Sequence, residues 1–166
     1  IPSVKYPIAN GEKRTGKRCL AVGTECSVGK MYTAMATDRE MKQRGLKSSF
    51  RATGQTGILI TGEGVPLDAV VADFMAGSVE WLTPENDADH WDMIEGQGIL
   101  FHVSYSGVTM ALIHGGQPDA LILCHEPTRV HMRGLPKDVE DRMGLPTVDP
   151  YRHGADRLVD ALSDFD

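Results

Sequence analysis

The chain has 166 residues and a formal net charge of −6 at pH 7, the size of one ordinary domain with enough material for a substantial core. That acidity excludes a general nucleic-acid-binding surface, which draws its affinity from Lys and Arg neutralising phosphates. No apolar run approaches the roughly 20 residues that cross a bilayer, and Ile1-Pro2 followed by a Lys-bearing stretch is not a signal peptide. The expected compartment is the cytoplasm, with no membrane partner. Cys19, Cys26 and Cys124 are odd in number and lack C-x-x-C spacing. They read as free thiols, outside any disulfide framework or zinc site.

Residues 1–18 hold Pro2, Pro7, Gly11 and Gly16 and show neither apolar period, so they read as a lead-in segment or linker without a catalytic role. Residues 19–166 are expected to form one α/β domain. It opens on an apolar run, Cys19 to Val22, that reads as a buried strand and leads into Gly23-Thr24-Glu25-Cys26-Ser27-Val28-Gly29-Lys30-Met31. A strand, a Gly-rich turn and Gly-Lys at a helix start are the parts of a phosphate-binding loop in their order. Such a loop aims backbone N–H groups, a helix dipole and a Lys ammonium at one anion. The strict spacing wants Gly where Thr24 stands, and Met31 replaces the hydroxyl that ordinarily holds Mg²⁺. Thr33 lies two residues further round the helix and points elsewhere.

Val28 to Arg44 reads as the first crossover helix, stopped by Gly45, and Ser48 to Thr53 as a second strand ending in the polar turn Gly54-Gln55-Thr56-Gly57. Pro66 fits the first turn of another helix, whose apolar face runs through Leu67, Val70, Val71, Phe74, Met75, Ser78 and Leu82. Trp91 to Glu95 and Ala120 to Cys124 read as short buried strands, the second apolar throughout, as in a central parallel strand covered on both faces. Between them Val103 to His114 has the content of a helix, with Gly115-Gly116 to end it. Pro136 to Met143 reads as a helix, Thr147-Val148 as a last strand and Ala155 to Leu162 as a final helix. Strands alternating with helices predict a mainly parallel central sheet flanked by helices, a three-layer P-loop NTPase-like α/β fold.

Several side chains stand at predicted strand ends, where open α/β sheets bind ligands. Glu95, before Gly96-Gln97-Gly98, is a candidate general base, and His125 with Glu126 is a second acid/base pair. Each of these residues has a structural alternative, a capped turn or a hydrogen-bonded histidine. His102 and His114 rank below them. Arg51, Gln55 and Arg129 are candidate substrate ligands, since a guanidinium binds a carboxylate bidentately. Cys26 sits where a helix N-terminus lowers thiol pKa, but no His is close in sequence to activate it.

Two family resemblances begin at these residues. Gly23 to Lys30, in the form Gly-Thr-acid-x-x-Val-Gly-Lys, is similar to the loop of dethiobiotin synthetase. A longer likeness runs through VGTECSVGKMYTAMA, FRATGQTGILITG, VVADFMAGSVEWL, HWDMIEGQG and DALILCHEPTR, from Val22 to Arg129. These ordered blocks resemble the C-terminal domain of the D-glutamate N-acetyltransferase family, long catalogued as a domain of unknown function. In that family Met after the loop Lys is typical. The resemblance implies transfer of an acetyl group from acetyl-CoA to the amino group of D-glutamate or a similar D-amino acid, with the loop on cofactor phosphates. It also implies an upstream domain in the full-length protein and leaves room for a homo-oligomer. The other likeness keeps two readings open: an ATP- and Mg²⁺-dependent carboxylate-activating ligase, in which Glu95 is a metal- and nucleotide-side carboxylate, or a nucleotide-binding domain without catalysis.

Overall fold

The computed structural model describes residues 5–129, 131–132 and 134–142. Four strands form one all-parallel sheet in the order β2-β3-β1-β4: β1 is Lys17–Gly23, β2 Ser48–Arg51, β3 Trp91–Ile94 and β4 Ala120–Cys124. The helices are α1 Lys30–Gln43, α2 Gln55–Thr61, α3 Ala72–Leu82, α4 Ser106–Gly116 and α5 Lys137–Arg142, with a 3₁₀ turn at Leu67–Ala69. The period of two along β1 divides the core. Leu20 and Val22 join Val79, Leu82, Leu112 and Ile113 on the α3/α4 face, and Ala21 joins Ala34 of α1 on the other. Both faces of β1 are therefore covered, and every residue of the strand after Lys17 is buried. This is the α/β architecture expected.

Four local expectations are corrected. Gly54 to Gly57 is not a free turn, because Gln55 opens α2, which closes at Gly62 in the left-handed conformation (φ 79°). The long helix expected from Pro66 is split: Val70 and Val71 are extended (ψ 136° and 137°), so α3 begins only at Ala72. Gly115 and Gly116 do not stop α4. They lie inside it: a Cβ on Gly115 would stand 2.2 Å from the Ala76 carbonyl oxygen, so its smallness lets α3 and α4 touch backbone to backbone, and one on Gly116 would stand 3.1 Å from the Ile94 side chain of β3. The reversal falls on Gln117, itself left-handed (φ 44°). Finally, β4 pairs only with β1 among the described residues, and Leu121 and Leu123 are exposed, so it is an edge strand there and not a central one. Met143, Thr147-Val148 and Ala155 to Leu162 lie outside the described residues.

Residues 5–16 are irregular, as their Gly and Pro content implies, yet they are tied to the α3/α4 layer. The backbone N–H groups of Asn10 and Gly11 donate to the two carboxylate oxygens of Glu80 (3.0 and 2.9 Å). The Arg14 guanidinium donates to the carbonyls of Thr83 (2.8 Å) and Gly115 (2.6 Å).

Candidate active site

The loop between β1 and α1 takes its shape from two left-handed residues, Ser27 (φ 58°) and Gly29 (φ 94°). No atom lies within 4 Å of where a Gly29 Cβ would be, so glycine is needed there for backbone angle and not for space. Lys30 is the first residue of α1 and is buried, its stem lying in a slot between two other glycines. A Cβ on Gly23 or on Gly96 would come within 3.1 Å of the Lys30 Cδ, and the one on Gly96 would also stand 1.6 Å from the Ala21 carbonyl oxygen. The Lys30 Nζ donates to the Glu25 carbonyl (2.8 Å), and burial pushes its pKa below the ordinary lysine value. A desolvated ammonium beside the N–H groups that open a helix is a site primed for an anion.

The segment leaving β4 holds the loop in place. The Thr24 N–H donates to the Cys124 carbonyl (3.1 Å), and the Thr24 hydroxyl shares a 2.7 Å hydrogen bond with His125 Nδ1. Arg129 Nη1 donates to the Glu25 carboxylate and to the Cys26 carbonyl, while Nη2 reaches the Ser27 carbonyl (3.3 Å). The second Glu25 oxygen accepts the Cys26 N–H (2.7 Å). Arg129 thus fixes three consecutive loop residues through one planar fork, the geometry in which Arg differs from Lys. Arg129→Ala is expected to weaken pyrophosphate binding by about tenfold, the size of one lost charged hydrogen-bond anchor, because the loop loses its preset shape and Glu25 loses its counter-ion. Calorimetric titration with pyrophosphate checks this, and an unchanged Kd would detach Arg129 from the loop's function.

Glu95 follows β3 and is buried, with its carboxylate in a cradle of donors. Oε2 accepts the N–H groups of Thr53 (2.9 Å) and Gly54 (3.1 Å), and Oε1 accepts the Gln97 side-chain amide (3.1 Å). Two glycines leave room for it: a Cβ on Gly57 would be 2.3 Å from Oε2, and one on Gly54 2.9 Å from Oε1. Burial raises the Glu95 pKa, and the backbone and Gln97 donors, which favour the anion, hold back part of that rise. An acid whose pKa climbs toward neutrality in a cleft suits proton transfer.

These parts open into one cleft of about 740 Å³ lined by Cys26, Ser27, Gly29, Lys30 and Met31 on one side and by Gln55, Asp68, Glu95, Gln97 and Tyr105 on the other. That is the volume of a small-molecule site. It brings Cys26, Ser27, Gly29, Lys30 and Met31 of the loop together with Gln55 and Glu95, whereas Gly23, Thr24, Glu25 and Val28 are not in its lining. Four other candidates stand outside its lining. Arg51 is tied through Nε to Asp92 (2.6 Å) on the neighbouring strand. His125 bonds Thr24 behind the loop. Glu126 accepts the N–H (3.1 Å) and hydroxyl (2.6 Å) of Thr128, which lowers its pKa and makes it the cap of a turn. Arg129 is bonded to Glu25, Cys26 and Ser27 of the loop and is not in the cleft lining. Sequence reasoning missed Asp68, which the break before α3 delivers to the cleft wall, and Tyr105, whose ring stacks on buried His102 (centroids 4.3 Å apart). It also missed the Thr53 and Gly54 N–H groups, whose only trace was the Thr-Gly pair at a strand end. Among the described residues no group of three or more His, Cys, Asp or Glu is placed to hold a metal, and no helix is long and apolar enough to cross a membrane.

The protein is similar to D-glutamate N-acetyltransferase from Tritonibacter scottomollicae, with 65% identity over 98% of this chain and 63% of that protein. A second D-glutamate N-acetyltransferase, from Pseudoalteromonas sp, is 54% identical over 81% of this chain and 40% of its own length. Among solved structures, a DUF1611 family protein from Anabaena variabilis ATCC 29413 has a TM-score of 0.73 and 31% identity, covering 98% of this chain and 62% of that one. The chain thus spans less than two thirds of each of these proteins. The family described as a domain of unknown function, the DUF1611_C P-loop domain, matches residues 7–139. With most of its length under that match and its phosphate-loop geometry in place, the chain belongs to the DUF1611 P-loop domain family.

Proposed function

We propose that the protein transfers an acetyl group from acetyl-CoA to the amino group of D-glutamate or a similar D-amino acid, and that this domain binds the cofactor phosphates and supplies the base. One observation carries the reading: Glu95, a buried carboxylate with a raised pKa, shares one cleft with Lys30 and the phosphate loop. The names of the two curated relatives support it. The chemistry of the donors fits a diphosphate, with Lys30, the loop N–H groups and the start of α1 to hold it. Acetyl-CoA, when bound, supplies a thioester. Glu95 takes a proton from the acceptor's ammonium, since only the free lone pair attacks; the C–N bond forms and the C–S bond breaks. Of the two protons that the nitrogen loses, one ends on the departing thiol and the other in solvent. Gln97 and the Thr53 and Gly54 N–H groups keep the carboxylate aimed. The assay is release of CoA thiol by the full-length protein with D-glutamate.

Two results are expected from it. Met31 lines the cleft where a triphosphate-cleaving loop has its Mg²⁺-binding hydroxyl, and a thioether is a poor ligand for so hard an ion. Acetyl transfer should therefore survive EDTA and be little changed by Met31→Thr; activity that disappears on chelation, or needs ATP cleavage, would favour the ligase. Gly57→Ala places a methyl against Glu95 Oε2 within α2, where Ala is otherwise the better helix former by about 1 kcal/mol. Turnover should fall by about tenfold or more through the displaced carboxylate while the helix is kept, since misplacement of a catalytic group by an ångström is that costly. Full activity in this variant would show that the Glu95 position does not matter.

A further inference from the structure

Exposed apolar and aromatic side chains stand in the cleft lining and on the helix that borders it. On α2, Gln55 and Thr56 line the cleft, and Leu59 and Ile60 lie one helical turn beyond them on the same faces. Those two residues are 84% and 57% exposed, and Tyr32 and Tyr105, which line the cleft, are 73% and 45% exposed. Exposed apolar side chains beside a ligand cleft mark a surface suited to a protein partner. The cleft is also short of positive charge. Among the described residues Lys30 is the one cation in its lining, set against the carboxylates of Asp68 and Glu95. If the acetyl-transfer reading holds, on which this second point rests, the same space must receive cofactor phosphates and an acceptor with two carboxylates. One ammonium does not balance them. The chain spans 63% of the Tritonibacter relative and 62% of the solved Anabaena protein, so proteins of this kind carry further chain that can answer both deficits.

We propose that Leu59 and Ile60, with Tyr32 and Tyr105, form the docking surface for the remaining portion of the full-length protein, and that this portion contributes Lys or Arg side chains that bind the acceptor's carboxylates. Apolar cover over α2 places those cations above Asp68 and Glu95, where the acidic lining attracts them. The domain described here then holds the cofactor and the base, and the portion docked on it reads the acceptor.

Leu59→Cys in the full-length protein tests the docking through its rate of maleimide labelling, located by mass spectrometry. Leu46→Cys, on the turn between α1 and β2 and 51% exposed, serves as the control. Labelling at 59 at least tenfold slower than at 46 is the expected result; equal rates, or protection that appears only as protein concentration rises and so comes from a second copy, overturn the docking. Leu59→Asp with Ile60→Asp should raise the KM for D-glutamate at least tenfold and leave the Kd for acetyl-CoA within threefold. A weakened acetyl-CoA Kd with an unchanged acceptor KM would assign that surface to the cofactor and overturn the proposal. Should the wild-type protein fail to acetylate D-glutamate, the acetyl-transfer reading falls and the labelling ratio alone decides the docking.

Discussion

Lys30→Met should weaken binding of acetyl-CoA by between about tenfold and a hundredfold, the range set by roughly 1.5–3 kcal/mol for a hydrogen bond to a charged group. Met is chosen because the stem has a structural task separate from that of the ammonium. It fills the slot between Gly23 and Gly96, and truncation to Ala would leave that slot empty beneath the loop. The longer apolar side chain keeps the packing and removes only the charge. Burial already disfavours that charge in the free protein, so a bound phosphate restores what desolvation took away. Calorimetric titration gives the affinity, and circular dichroism should stay native. A Kd within twofold of wild type would mean that the loop N–H groups hold the ligand without the ammonium.

Glu95→Gln should cut turnover by about two orders of magnitude or more, the weight of a general base, with cofactor affinity within a few-fold. Gln keeps the size of the side chain and an oxygen for the Thr53 and Gly54 N–H groups, so the backbone half of the cradle survives. The pH dependence follows from the raised pKa. As base, Glu95 must be ionised, so in the wild type kcat/KM rises with pH through a value above the ordinary glutamate pKa of about 4.3. Stability runs the other way. Because the folded pKa exceeds the unfolded one, the folded state binds more protons in that window; the contribution of Glu95 is fully present below about pH 4.3 and is lost as pH rises through the folded pKa. At neutral pH the Gln variant should therefore be no less stable than wild type in a thermal melt, and less active. Collapse of cofactor affinity in this variant would make Glu95 a binding residue and not a base.

The four strands, α1, most of α4 and the phosphate loop were legible from the chain alone, because each rests on neighbours in sequence. Apolar runs bounded by glycine and a Gly-Lys pair at a helix start are local patterns, and β1, α1 and α4 follow them closely. The sequence misled where a residue's neighbour across space set its task. Gly115 and Gly116 look like a helix stop, yet Gly115 serves the contact of α4 with α3 and Gly116 the contact with Ile94 of β3. Ala120 to Cys124 has the composition of a central strand, but position in a sheet belongs to the partners, and β4 has only β1 among the described residues. Arg129 and Arg51 are alike as strand-end guanidiniums. The order β2-β3-β1-β4 puts Arg51 against Asp92 and Arg129 against Glu25, so one supports the sheet and the other the loop. The same order brings the end of β3 between the ends of β1 and β2, and so sets Glu95 beside both Lys30 and the Thr53–Gly54 backbone. Chain-local chemistry determined that this protein has the P-loop pattern. Only the tertiary structure decided which carboxylate meets it, because parallel strands joined by helices bring together residues that lie tens of positions apart.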